Sequence, residues 1–97
     1  MAQLRTFAVI ATYVEHAIAR RAPHRDAHLA YARALHEAGH MLLGGAWADP
    51  VDGALIIYRA ESRAQVEVWL ADDPYVRAGL WSTIVIREWT VVIGETG

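Results

Sequence analysis

The sequence predicts an α+β fold of order β-α-β-β-α-β, and three observations carry that prediction. Segments rich in β-branched, aromatic and other apolar residues stand at 5–13, 41–45, 54–60 and 84–93. Two stretches of good helix formers, 24–39 and 62–71, fall between the first and second of them and between the third and fourth. The remaining gap, 46–53, reads AWADPVDG, whose Asp-Pro and Asp-Gly pairs mark a turn.

Each element has its own signal. Phe7, Val9, Ile10 and Tyr13 make 5–13 a strand. Residues 14–23 lack periodicity and end in Pro23, so they read as a connection. Leu29, Ala32, Leu35 and Ala38 recur near helical spacing through 24–39, and Gly39 stands where a glycine ends a helix. MLLGG at 41–45 is a short strand running into Gly44-Gly45, and ALIIYRA at 54–60 is a strong one. Ser62 is a good N-cap for a helix burying Val66, Trp69 and Leu70. Asp72-Asp73-Pro74-Tyr75 breaks that helix, because a residue before proline avoids helical geometry. IVIREWTVVI at 84–93 is the closing strand.

The order is that of the ferredoxin-like unit, two helices on one face of a four-stranded antiparallel sheet. Ile84 and Ile86 alternate with Val85, so the last strand carries apolar side chains on both faces. Helices cover only one face. A second sheet from another copy of the chain, in a two-fold homodimer, is the simplest cover for the other.

Composition narrows the function. The 97 residues suit one domain, expected over 1–97. Nine arginines and no lysine oppose eleven acids, for a formal charge of −2, and no RNA-binding aromatic motif accompanies them. Nucleic acid is therefore not an expected partner. The absence of cysteine removes disulfides, iron–sulfur clusters and thiol nucleophiles. No apolar run approaches the roughly 18 residues of a membrane span. No signal-peptide cleavage pattern follows the start, and a cytoplasmic location without membrane association is expected.

Candidate sites lie on histidines and on one turn. His36-Glu37-Ala38-Gly39-His40 matches the zinc-peptidase pattern H-E-x-x-H. Gly39 should end the helix before His40, which would separate the two imidazoles, so zinc hydrolysis is the weaker alternative and no metal or other cofactor is expected. His24 and His28 also stand four apart, without evident partners. His28 flanks the apolar stripe with Arg25 one turn earlier, and Asp73 could orient it if the two helices run antiparallel. The sequence alone leaves open whether Asp73 is instead an ordinary turn residue. Arg20, Arg21 and Arg25 form a basic cluster, read as a solvated surface or an anion-binding rim. The tryptophans read mostly as core or interface residues, while Trp47 could line a pocket.

Together these segments resemble the YCII-related family. The resemblance rests on Arg25-Asp26-Ala27-His28-Leu29, Leu35 with Gly39, Leu43-Gly44-Gly45, Ala71-Asp72-Asp73-Pro74-Tyr75-Val76 with Ala78-Gly79, and Trp89-Thr90-Val91-Val92. It spans roughly 6–93. It implies a dimeric α+β barrel and a pocket in which His28 and Asp73 meet as a catalytic dyad. It also places Arg25 and Gly45 in the same cleft, and Trp47 and Tyr75 complete the expected substrate-binding set. One branch of the family resembles a dehydrochlorinase of a chlorinated hydroxyhydroquinone. Relatives of the barrel include muconolactone isomerases and quinol-forming monooxygenases, which handle small cyclic compounds without metals. The expectation is a cofactor-independent lyase or isomerase acting on a small cyclic or phenolic anion. The alternative is a non-catalytic homodimer that binds such a ligand.

Overall fold

A computed structural model describes residues 3–94. Residues 1–2 and 95–97 of the expected domain lie outside the described residues. The chain runs β1 (Arg5–Tyr13), α1 (Ala17–Arg21), a 3-10 turn (Ala22–His24), α2 (Arg25–Glu37), β2 (Met41–Ala46), β3 (Gly53–Ala60), α3 (Arg63–Asp72), α4 (Pro74–Arg77) and β4 (Trp81–Glu88). The strands form one antiparallel sheet of order β2-β3-β1-β4. This is the ferredoxin-like α+β arrangement.

Strand alternation decides what is buried. On β1, Phe7, Val9, Ala11 and Tyr13 face the helices, in register with Tyr58, Ile56 and Ala54 of β3 and Ile86 of β4. Val66 and Leu70 of α3 and Leu35 of α2 close over them. Each fully buried aliphatic side chain is worth about 1.5–3 kcal/mol. The Tyr31 hydroxyl on α2 donates to the Trp69 carbonyl on α3 at 2.6 Å, tying the two helices together.

The sheet's other face stays apolar and uncovered within the protomer. Ile10 and Val85 are adjacent partners across β1 and β4, and both are more than 40% exposed. Leu43 and Trp89 are exposed as well.

Two segments differ from the sequence reading. Residues 14–23, expected as an irregular connection, contain α1 and the start of a 3-10 turn. Ala-Arg content favours helix there, and Pro23 sits in the first turn, where a missing N–H costs little. The last strand spans 81–88, not 84–93. Its partner β1 is matched from Tyr13↔Trp81 to Phe7↔Glu88, and a bond from Trp89 N–H to the Thr6 carbonyl ends the ladder. Val91, Val92 and Ile93 have strand propensity but no described strand opposite them.

Candidate active site

The site forms where α2 begins, α3 ends and the β1–β4 pair meets them. Asp73 is the hinge of this geometry. It leaves α3 in an extended conformation (φ −67°, ψ 127°) and caps α4, its Oδ1 accepting from the Tyr75 N–H at 2.9 Å. Pro74 at the first position of α4 enforces the break. The same Oδ1 lies 2.7 Å from Nδ1 of His28. Asp73 is completely buried, while the His28 side chain keeps 14% of its surface. A carboxylate can only accept, so Nδ1 carries the proton of this contact, and in the neutral imidazole Nε2 keeps its lone pair.

Aromatic rings hold the imidazole on two more sides. The Tyr75 ring stacks on it with centroids 3.7 Å apart, and the Trp81 ring meets it edge-on at 6.1 Å. Burial raises the Tyr75 pKa, outweighing the opposite pull of the nearby Arg25 guanidinium, so the phenol stays neutral. Its hydroxyl makes no well-aligned hydrogen bond within the chain, and neither does the Trp81 indole N–H.

A cavity of about 310 Å³ opens beside His28. Arg25, His28, Gly45 and Tyr75 line it, as do Tyr13, Arg21 and Trp81. No acidic side chain lines the cavity among the described residues, since Asp73 is sealed behind the imidazole. The opening suits a single-ring ligand, and its arginines suit an anionic one.

Of the residues proposed from sequence, His28 and Asp73 are in contact, and Arg25, Gly45 and Tyr75 share the cavity wall. Trp47 stands apart from that wall. Its backbone N–H bonds to the Gly53 carbonyl at 2.9 Å. Its indole lies so close to Gly53 that a Cβ there would fall 2.8 Å from Nε1 and 2.6 Å from the Ala11 carbonyl oxygen. Glycine is required at 53, and the tryptophan packs over the turn, 44% exposed. Arg21 belongs to the wall, whereas Arg20 of the same basic cluster does not. Tyr13 and Trp81 were read as strand and core residues; no local motif marks the cavity side of an aromatic.

The H-E-x-x-H segment is divided as its glycine suggests. α2 ends at Glu37, and Gly39 takes φ +82°. His36 donates from Nδ1 to the Met41 carbonyl at 2.8 Å, and His40 stacks on Trp69 at 4.5 Å. Among the described residues no group of three or more His, Asp or Glu side chains could hold a metal ion. No helix among them is long and apolar enough to cross a membrane.

The fold and the histidine-bearing cavity together define a small ferredoxin-like protein with a buried His–Asp pair. The chain belongs to the YCII-related domain family, whose model matches residues 6–90. No curated protein sequence matches it. Among solved structures it is similar to the 5-chloro-2-hydroxyhydroquinone dehydrochlorinase TftG of Burkholderia phenoliruptrix AC1100, in complex with 2,5-dihydroxybenzoquinone. That likeness has a TM-score of 0.79 at 24% identity, over 88% of this chain and 93% of the other. It is also similar to PA3566 of Pseudomonas aeruginosa, with a TM-score of 0.60 at 13% identity, over 96% and 97% of the two chains. At these identities the likeness establishes the fold.

Proposed function

We propose that this chain is a general acid–base enzyme of the lyase or isomerase type, acting on a small cyclic or phenolic anion. The observation that carries the reading is the 2.7 Å contact of His28 Nδ1 with the fully buried Asp73, at the wall of a cavity. In this mechanism Nε2 takes a proton from a ring hydroxyl. Asp73 fixes the imidazole tautomer and stabilises the imidazolium that forms. Arg25 holds negative charge on the ring's oxygens. The proton then returns from Nε2 to a ring carbon, which completes an isomerisation.

Where that carbon bears chlorine, a second hydroxyl proton and chloride leave afterwards. The net change is loss of HCl, and the ring reaches the quinone level because the electron pair departs with chloride. The name of the dehydrochlorinase with the same fold supports this variant. The substrate is small, because the cavity holds about one ring. No cofactor is called on.

We further infer a homodimer, with the open sheet faces of two protomers stacked. The exposed Ile10, Val85, Leu43 and Trp89 support it.

The test is turnover of a panel of chlorinated and unchlorinated trihydroxybenzenes and small lactones, followed by ring absorbance and chloride release. Wild type should convert at least one, and His28→Gln should lose about 10²–10⁴-fold. Binding of a ring by both proteins with no conversion by either would instead support the non-catalytic binding module.

A further inference from the structure

We propose that Arg21 makes the cavity select a ring that bears a carboxylate in addition to its hydroxyls. The inference rests on the functional reading above and names the substrate class more closely.

Three observations carry it. First, α1, the 3-10 turn and α2 run consecutively, so Arg21 and Arg25 stand one helical turn apart and both line the cavity. Second, neither makes an ion pair with an acid among the described residues, and the cavity wall holds no acidic side chain to neutralise them. The one carboxylate nearby, Asp73, is buried and already engaged by His28 and the Tyr75 N–H. Third, the Arg21 guanidinium is held in place. Its Nη1 donates to the Tyr13 hydroxyl at 3.2 Å, and its Cζ lies 5.7 Å from the centre of the Tyr13 ring.

A guanidinium fixed on a tyrosine spends only part of its donors. Arg21 has five N–H groups and gives one to Tyr13, which in turn has its own hydroxyl proton to offer. Planar, paired donors of this kind match a carboxylate better than a single phenolate oxygen. The polar groups at the mouth are therefore donors, and His28 Nε2 is the acceptor. A ligand that fits presents one hydroxyl to Nε2, one anionic oxygen to Arg25 and a carboxylate to Arg21 and Tyr13. A dihydroxybenzoate supplies the carboxylate and two hydroxyls, one of which becomes the anionic oxygen at Arg25 when Nε2 takes its proton, whereas an uncharged hydroquinone carries no carboxylate for Arg21.

The experiment is a calorimetric titration of the wild-type protein with 2,5-dihydroxybenzoate and with hydroquinone, repeated on Arg21→Gln and Arg21→Lys. The imidazole resonances of His28 report whether either probe enters the cavity. The proposal expects the carboxylate-bearing ring to bind at least tenfold tighter than hydroquinone. Arg21→Gln should erase that preference, and Arg21→Lys should retain part of it. Equal affinities in wild type, or a preference that survives Arg21→Gln, would overturn the proposal and leave the acid–base reading standing. If His28 responds to neither probe, the proposal falls, while the acid–base reading is decided separately by the turnover panel.

Discussion

The imidazole of His28 lies flat on the ring of Tyr75, with centroids 3.7 Å apart and planes within 4°. One short turn creates this contact. Asp73 binds His28 from the end of α3, and Tyr75, two residues on, supplies the stacking surface from α4. The turn that ends α3 thus fixes both the edge and the face of the imidazole.

The stack makes Tyr75 a positioning residue, and its ring matters more than its hydroxyl. Tyr75→Phe keeps the ring and removes a buried hydroxyl with no well-aligned partner. Its stability should stay within about 1 kcal/mol of wild type. Tyr75→Ala empties a site that is only 1% exposed and should cost about 3–5 kcal/mol. Urea denaturation of the two variants measures the difference. A loss for Tyr75→Phe as large as for Tyr75→Ala would contradict the assignment.

Asp73→Asn should separate function from folding. Asparagine is also a good N-cap, so the bond to the Tyr75 N–H can survive and the stability loss should be only about 1–2 kcal/mol. The oxygen facing His28 Nδ1 is kept but its negative charge, which stabilises the imidazolium, is gone, and turnover of any substrate found should drop about 10²–10⁴-fold. Parallel kinetics and denaturation curves decide the matter. Comparable free-energy losses in folding and in turnover would count against a catalytic role.

Tyr58 should make the fold sensitive to alkali. Burial, then the Asp73 carboxylate, then Tyr31 push its phenol well above the ordinary 10.0. Below pH ~10 both folded and unfolded chains keep the proton, and this group leaves stability flat. Above that pH the unfolded chain releases the proton first. Stability then falls by up to about 1.4 kcal/mol per pH unit until the folded-state pKa is reached. Denaturation midpoints between pH 9 and 11.5 should fall more steeply for wild type than for Tyr58→Phe. Identical slopes would remove Tyr58 as the cause. The same variant should be near neutral in stability at pH 7, because the hydroxyl it deletes has no partner within the chain.

Much of this architecture could be read in the residues. β1 falls on 5–13 as its β-branched and aromatic content indicates, and Gly39 takes the left-handed conformation that ends α2. The errors have a common physical source. Val91, Val92 and Ile93 read as strand because propensity is local, but pairing needs a partner, and β1 begins only two residues before Phe7, the partner of Glu88. Pro23 read as a break because its position in the first turn of a 3-10 segment depends on where that segment begins. His28, Arg25 and Asp73 were legible as candidates. Their meeting depended on how the helices pack, which residue spacing does not report. Trp47 was assigned to the pocket from its loop, whereas its ring is held over Gly53 by the turn itself. Tyr13 and Trp81 reach the cavity through a strand pairing that includes an irregularity between Thr12 and Tyr13.

The open sheet face gives a further test. Ile10 is 41% exposed on that face, opposite Val85 and Leu55. Wild type should sediment at twice its 10.8 kDa. Ile10→Glu places a charge where a second sheet would pack and should shift the population to monomer, with helix and strand content retained. A wild-type protein that sediments as a monomer at all concentrations would contradict the stacked dimer.

Asp73 holds the His28 Nδ1 proton at 2.7 Å, so the neutral imidazole at the cavity wall has Nε2 as its acceptor. The 15N resonances of the neutral His28 imidazole measure this directly. Nδ1 should be protonated and coupled to the Asp73 contact, and Nε2 should be unprotonated. A neutral imidazole with its proton on Nε2 would contradict it, because that nitrogen could no longer accept a proton from a bound ring.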